Sequence, residues 1–315
     1  MLVVPAWSQG LQPTAPVAPA AGSDAKSYVE YGKSLGQTKD YNGAIAAFTQ
    51  AITLDPKFAP AYYFRGLGYA LQQKTDEAIA NYTHAIQLDP TFKDAFYNRG
   101  GLEGQQGNFD AADKDFTAVI ALDPKYAPAY YNRGHVEYFQ GNLDGAFDQI
   151  NQGLALDPNS SLCYYIRGLI RHAQGHREDA TADFQKSVGL NFTSAAYWIW
   201  ITEMEGGDKV GARKDLLDAL GRPETFKPDD WPSQIGNFLL EKITRDQLMA
   251  KAKTDSASET DDRLCEAWFY SGMYSLLNSD PKEARECFTQ AIATGAKGSE
   301  EYIEANRQLA ALPAQ

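Results

Sequence analysis

Residues able to do chemistry are few in this sequence, and their spacing is poor for catalysis. The histidines are His84, His135, His172 and His176. The last two are four apart, a spacing that sets two imidazoles on one helix face and can grip a zinc ion. Gly175 stands between them at a helix end and no acidic third ligand follows in phase, so they read as solvated or core histidines. The cysteines, Cys163, Cys265 and Cys287, contain no CxxC pair. An odd, sparse set makes neither a disulfide framework nor a zinc knuckle, and all three are expected as buried thiols. No Gly-x-Ser-x-Gly nucleophile elbow and no phosphate-binding GxxxxGKS loop occurs. Asp229 and Asp230 are adjacent carboxylates of an ordinary loop. The expectation is a protein that is not an enzyme and uses no cofactor or metal.

What the polar and aromatic residues do show is rhythm. Arg65, Arg99, Arg133 and Arg167 recur every 34 residues, and so do Tyr63, Tyr97, Tyr131 and Tyr165. A guanidinium on each rung can hold a carboxylate-bearing ligand. The alternative is that each pairs with an acid such as Asp89 or Asp123 and staples neighbouring repeats.

The same period runs through the small and apolar residues, and a fixed period is the mark of a repeat array. Leu-Asp-Pro occurs at Leu54–Pro56, Leu88–Pro90, Leu122–Pro124 and Leu156–Pro158, with Leu190-Asn191-Phe192 as a decayed fifth copy. Gly32, Gly66, Gly100, Gly134 and Gly168 keep the phase. So do Ala44, Ala78, Ala112, Ala146 and Ala180, followed by the bulky Phe48, Tyr82, Phe116, Ile150 and Phe184. Small residues such as Gly66 and Ala78 let two antiparallel helices approach, while Tyr62 and Tyr82 fill the space around them. Gly107, Gly141 and Gly175 suit the left-handed end of each first helix. Asp76, Asp110, Asp144 and Glu178 then fall in the first turn of each second helix, where the dipole favours them. The proline stops the second helix and opens the turn to the next hairpin. One hairpin cannot bury its apolar face alone, so the hairpins must stack.

This pattern resembles the tetratricopeptide-repeat (TPR) family, displayed in the first repeat by Tyr28, Gly32, Ala44, Phe48, Ala51 and Pro56. The resemblance implies an all-α fold, a right-handed superhelical solenoid of antiparallel helix hairpins, with five regular repeats over 25–194. After residue 195 the rhythm loosens. AYWIWITEMEGGDKVGARKDLLDAL reads as a shortened hairpin with Trp198 and Ala212 in the repeat's roles. An irregular insert follows, with Pro228 and Pro232 around Trp231 and one amphipathic helix over IGNFLLEKITRDQLMAKAK, so that 195–262 forms one segment. Over 263–315 the repeat returns with Trp268, Gly272, Ala284, Phe288 and Ala291. A last helix, SEEYIEANRQLAALP, is expected to cap an apolar end of the array. This C-terminal part resembles the TPR adaptor lipoproteins of Gram-negative bacteria, which scaffold murein hydrolases and their protease. Residues 1–24 read as a Pro- and Ala-rich disordered leader that resembles the remnant of a signal peptide, in which no lipid-anchoring cysteine is visible near residue 10.

The family likeness also implies where binding occurs: the first helices line a concave face. Counted from the start of each repeat, its residues are Tyr63, Phe64, Leu67, Tyr97, Asn98, Tyr131, Asn132, His135, Tyr138 and Tyr165, with His172 in the same register. Tyrosine offers apolar area with a hydroxyl, and asparagine can bridge to peptide amides. The tyrosines can equally pack between neighbouring first helices. The basic clamp of chaperone-binding members is not reproduced, Lys33 alone occupying a comparable position. A net charge of -12 disfavours nucleic acid and anionic lipid, and no apolar run is long enough to span a bilayer. The expected function is a scaffold that captures a segment of a partner protein, in the periplasm or secreted. A cytoplasmic regulator and an accessory module of a glycan-modifying enzyme are the alternatives, and oligomeric state is left open.

Overall fold

A bare glycine facing a large ring on the next helix fixes how close the two helices can come, and this contact recurs through the chain. In a computed structural model describing residues 16–221, 227 and 229–313, a methyl group added at Gly32 would lie 2.5 Å from the Phe48 ring. The same addition at Gly66 would meet Tyr82 at 2.9 Å, at Gly168 Phe184 at 2.5 Å, and at Gly272 Phe288 at 2.5 Å. Those rings are buried, as are Ala44, Ala78, Ala112, Ala146 and Ala180. Tyr62, expected to fill the same space, instead lies half-exposed. Its hydroxyl donates to the Pro56 carbonyl at 3.2 Å and its ring stacks on His84.

The described residues form seventeen helices and no strand, divided between two compact units, 1–132 and 133–315. The first unit holds the hairpins α1 (Ala25–Gln37) with α2 (Tyr41–Leu54), α3 (Ala59–Leu71) with α4 (Thr75–Leu88), and α5 (Lys93–Gln105) with α6 (Phe109–Leu122). The boundary falls inside α7 (Ala127–Phe139). The second unit continues with α8 (Leu143–Leu156), the pair α9 (Ser161–Ala173) and α10 (Arg177–Gly189), and the short pair α11 (Ala195–Glu205) and α12 (Lys209–Leu220). It ends with α13 (Trp231–Leu239), α14 (Arg245–Lys251), α15 (Ala257–Leu277), α16 (Pro281–Ala293) and α17 (Glu300–Ala311). Among the described residues no helix is long and apolar enough to cross a membrane. Most of the leader, including the signal-like tract, lies outside the described residues, as does Pro228.

The turns follow the expected chemistry. Gly107, Gly141 and Gly175 have φ of 79°, 81° and 82°, while Lys39 and Gln73 hold the equivalent conformation in the first two repeats at 64° and 61°. The acids Asp76, Asp110, Asp144 and Glu178 stand in the first turns of α4, α6, α8 and α10. Between hairpins, the aspartate of each Leu-Asp-Pro closes its own turn. The carboxylates of Asp55, Asp89, Asp123 and Asp157 accept the backbone N–H of Lys57, Thr91, Lys125 and Asn159 at 2.9, 2.9, 3.2 and 3.0 Å. This local hydrogen bond ends the helix by offering the chain an alternative to another helical turn. Where the triplet decays, Asn191 turns the chain with φ of 69°.

One expectation for the C-terminal part needs correction. The stretch read as one amphipathic helix is two, α13 and α14, separated at Glu241, whose φ is 61°. Thr244 starts the second helix by a capping box with Gln247, the threonine hydroxyl accepting from the Gln247 N–H while the Gln247 side chain accepts from the Thr244 N–H. The final helix α17 does more than cover an apolar end. It packs on α15 and α16 and its glutamates reach side chains of α7 and α9. The three cysteines are free and buried, and burial raises each thiol above its usual range.

Because Ala112 is fully buried, Ala112→Leu is expected to destabilise the chain by about 2 kcal/mol through overpacking. Thermal denaturation followed by circular dichroism checks this; an unchanged melting curve would mean that the α5–α6 contact is not tight.

Candidate interaction faces

The tyrosine ladder is built into the stack. In the first unit Tyr63 is 5% and Tyr97 7% exposed. Tyr63 packs on Tyr82 and Phe92, with ring centroids 5.8 and 4.8 Å away, and Tyr97 on Phe116 and Tyr126 at 5.8 and 5.2 Å. Each hydroxyl is met by an asparagine of the next repeat: Asn98 donates to the Tyr63 oxygen at 3.2 Å and Asn132 to the Tyr97 oxygen at 2.8 Å. Burial pushes both phenols well above their ordinary range. The pair thus satisfies a polar atom at the seam between repeats, where leaving it unmet would cost about 1–3 kcal/mol. Tyr131 is buried in the same register, and Leu67 belongs to the core of the first hairpins. Phe64, Asn98 and Asn132 remain half-exposed. The Phe64 ring stacks on Phe48 and lies under the Lys33 ammonium at 5.4 Å.

Sequence reasoning passed over two positions at which the surface of α5 differs from that of α7. His135 and Tyr138 of α7 have their α5 counterparts 34 residues earlier, at Gly101 and Gly104. A side chain at Gly101 would meet nothing within 4 Å, and one at Gly104 only the Ala112 methyl at 3.8 Å. In the first unit, therefore, α5 offers bare backbone and open space where its neighbour in sequence carries a ring.

In the second unit the corresponding side chains face α17. The Tyr165 hydroxyl donates to Glu300 at 2.7 Å, and the His135 imidazole is 3.0 Å from the other oxygen of that carboxylate. The Tyr138 hydroxyl donates to Glu304. Arg307 donates to the Tyr138 carbonyl at 2.5 Å and stands 4.2 Å over its ring. Of the predicted face residues, the structure brings His135 and Tyr138 of α7 and Tyr165 of α9 together against one helix, α17. The glutamates that unite them were legible as an i, i+4 pair on one helical side, but nothing nearby in sequence named their destination.

The arginine ladder is also internal. Arg99 grips Asp115 through two bonds of 2.8 and 2.7 Å and donates to Thr83 at 2.9 Å. Arg167 grips Asp183 at 2.9 and 2.7 Å and donates to Asn151 at 2.9 Å. Arg65 donates to Asn81 at 2.8 Å and Arg133 lies 3.2 Å from Glu137. The staple was foreseen with Asp89 or Asp123, but the acids of Arg99 and Arg167 lie 16 residues on, in the second helix of the same repeat, and that of Arg133 lies four residues on in the same helix. Asp89 and Asp123 face the turn instead, with Asp123 also accepting from Lys93 at 2.8 Å. His172 is 2.9 Å from Glu205 rather than turned toward His176. Among the described residues no three histidine, cysteine or acidic side chains gather as a metal site would require. Several carboxyls bind their protons unusually tightly: Glu203 is pushed up to about 7 by burial and by neighbouring Asp215, and burial also raises Glu266 and Glu301.

Comparison with known proteins agrees with this architecture. Family profiles described as "Tetratricopeptide repeat" match residues 25–58 and 97–161, and one described as "TPR repeat" matches 66–102. No curated protein matches the sequence. A tetratricopeptide repeat protein from Parabacteroides merdae ATCC 43184 is similar over 91% of this chain and 97% of its own, at 15% identity and a TM-score of 0.61. PilW, described as a widely conserved type IV pilus biogenesis factor, is similar over 67% and 96%, at 20% identity and 0.57. A MamA structure is similar over 55% and 94%, at 26% identity and 0.50.

Asp183 accepts from two arginines, Arg171 adding a bond of 2.7 Å, whereas Asp115 serves one. Asp183→Ala is expected to cost about 2 kcal/mol or more and Asp115→Ala less, measured by chemical denaturation; equal and negligible losses would remove the staple. Glu203 binds its proton more tightly folded than unfolded. Its contribution is therefore complete below about pH 4.5 and is lost as pH rises through about 7. Glu203→Gln should raise the melting temperature at pH 8 and leave it nearly unchanged at pH 4.5; the same shift at both would refute the assignment.

Proposed function

Since the chain is a tetratricopeptide-repeat protein, we propose that it is a non-catalytic interaction scaffold whose first unit receives a segment of a partner protein against α1, α3 and α5. The observation that carries this reading is the open backbone at Gly101 and Gly104. Asn98 lies three residues before Gly101 on the same helix and Phe64 holds the equivalent position on α3; both are half-exposed and supply a side-chain amide and an apolar ring. Extended or helical segments can lie close to such a surface because no side chain stands in the way, and a ring with an adjacent amide offers burial and direction together. The tyrosines behind this surface hold it rigid, which lowers the ordering cost of binding. Its place in the bacterial cell envelope, periplasmic or secreted, rests on the composition of the leader and on the C-terminal resemblance to adaptor lipoproteins.

Gly101→Gln tests the face directly. The full chain and this variant are immobilised, and proteins retained from the native organism are compared by mass spectrometry. The expected result is loss of specific partners from the variant, which melts no lower than the parent because an open helical glycine is replaced by a better helix former. Retention of the same partners would exclude this face.

A further inference from the structure

The helix α17 lies in the second unit as a bound ligand would. Of its twelve residues only Glu304 and Ala305 are buried, against eight in α15. Tyr302, Ile303 and Leu309 are half-buried, and Asn306 and Ala310 face solvent. Apolar burial therefore contributes little to holding it. The contacts that do hold it on α7 and α9 are polar and come in a defined order. Glu300 takes the Tyr165 hydroxyl and the His135 imidazole, Glu304 one turn later takes the Tyr138 hydroxyl, and Arg307 crosses the Tyr138 ring to its carbonyl. Beyond the helix, Arg285 holds the Leu312 and Pro313 carbonyls at 3.2 and 2.6 Å. A helix with few apolar contacts and polar anchors opens at a lower free energy than the core around it.

We propose that α17 is an internal stand-in for a partner, and that the face formed by His135, Tyr138 and Tyr165 binds an acidic helix bearing two glutamates one turn apart. This deepens the scaffold reading but uses a different unit. The floor's two phenolic donors and imidazole meet carboxylates four residues apart on α17, so it recognises carboxylates at i and i+4. A helix lacking them would leave buried hydroxyls unmet. An incoming helix must displace α17, whose tether gives it an effective concentration on the order of millimolar. The intact chain is consequently a gated receptor: weak ligands are excluded, and a partner succeeds by matching the glutamate pair and adding contacts of its own.

The test uses the full chain and a fluorescent peptide of residues 297–313. Glu300→Ala with Glu304→Ala in the chain loosens α17 without touching the floor. The expected result is at least tenfold tighter peptide binding to this variant than to the parent, abolished when both glutamates of the peptide are glutamine. Equal affinity for the two chains, or no binding to either, overturns the proposal. Hydrogen exchange on the unaltered chain decides independently, even if the variant fails to fold. Amides of 300–311 should exchange at least ten times faster than those of α15, and equal protection would make α17 a permanent core element. If Gly101→Gln abolishes partner capture while the peptide never binds, the scaffold reading stands and this proposal fails. If the peptide binds as expected while Gly101→Gln changes nothing, the first-unit face alone is lost.

Discussion

A glycine pressed against an aromatic or branched side chain sets the distance between the two helices of a hairpin, and the other features follow from that distance. With Gly32 on Phe48, Gly66 on Tyr82 and Gly168 on Phe184, the helices approach closely enough for the alanines beside them to be wholly enclosed. Close pairing leaves each hairpin with an apolar side that only another hairpin can cover. Close pairing also brings Arg99 and Arg167 within reach of acids 16 residues on in the same hairpin, while stacking carries their guanidinium groups to Thr83 and Asn151 and an asparagine amide to the preceding repeat's phenol. The polar seams are consequences of the spacing, and they hold the repeats in register.

The two units put one set of positions to different uses. In α5 the ninth and twelfth residues are glycines with free space above them; in α7 they are His135 and Tyr138, both engaged with α17. Tyr63 and Tyr97 underneath are the same kind of buried strut that Tyr131 provides. The variation between α5 and α7 is thus confined to a few residues of the first helices, while the struts below stay constant. This division lets a repeat protein change its specificity without rebuilding its core.

Much of the architecture was legible in the amino-acid sequence because its causes are local. The hairpin pairs, the left-handed glycine turns at Gly107, Gly141 and Gly175, and the small residues opposite large ones all act within one 34-residue unit. The break between α13 and α14 was missed: Thr244 and Gln247 form a capping box there, but the apolar pattern running through the stretch suggested a continuous helix. The tyrosine ladder was ambiguous in principle: a ring with a hydroxyl suits a groove and a seam equally, and only the distance to Asn98 and Asn132 separates the two. The docking of α17 was not legible. Its contacts join residues more than 130 positions apart through carboxylates and hydroxyls, which no periodicity reports. Gly101 and Gly104 were missed for a simpler reason, since an open space leaves no mark on residue type beyond smallness.

A stack whose members touch only their neighbours can gain or lose a member with little penalty. The second unit is different, because Glu304 and Arg307 return to Tyr138 across 166 and 169 residues. That return is a ruler: it works only for the number of hairpins lying between α7 and α17. Duplication or deletion of one hairpin inside 140–299 would carry the closing helix past its anchors, whereas the same change before residue 127 leaves them in place. Evolution by repeat number is therefore free at one end of the chain and arrested at the other.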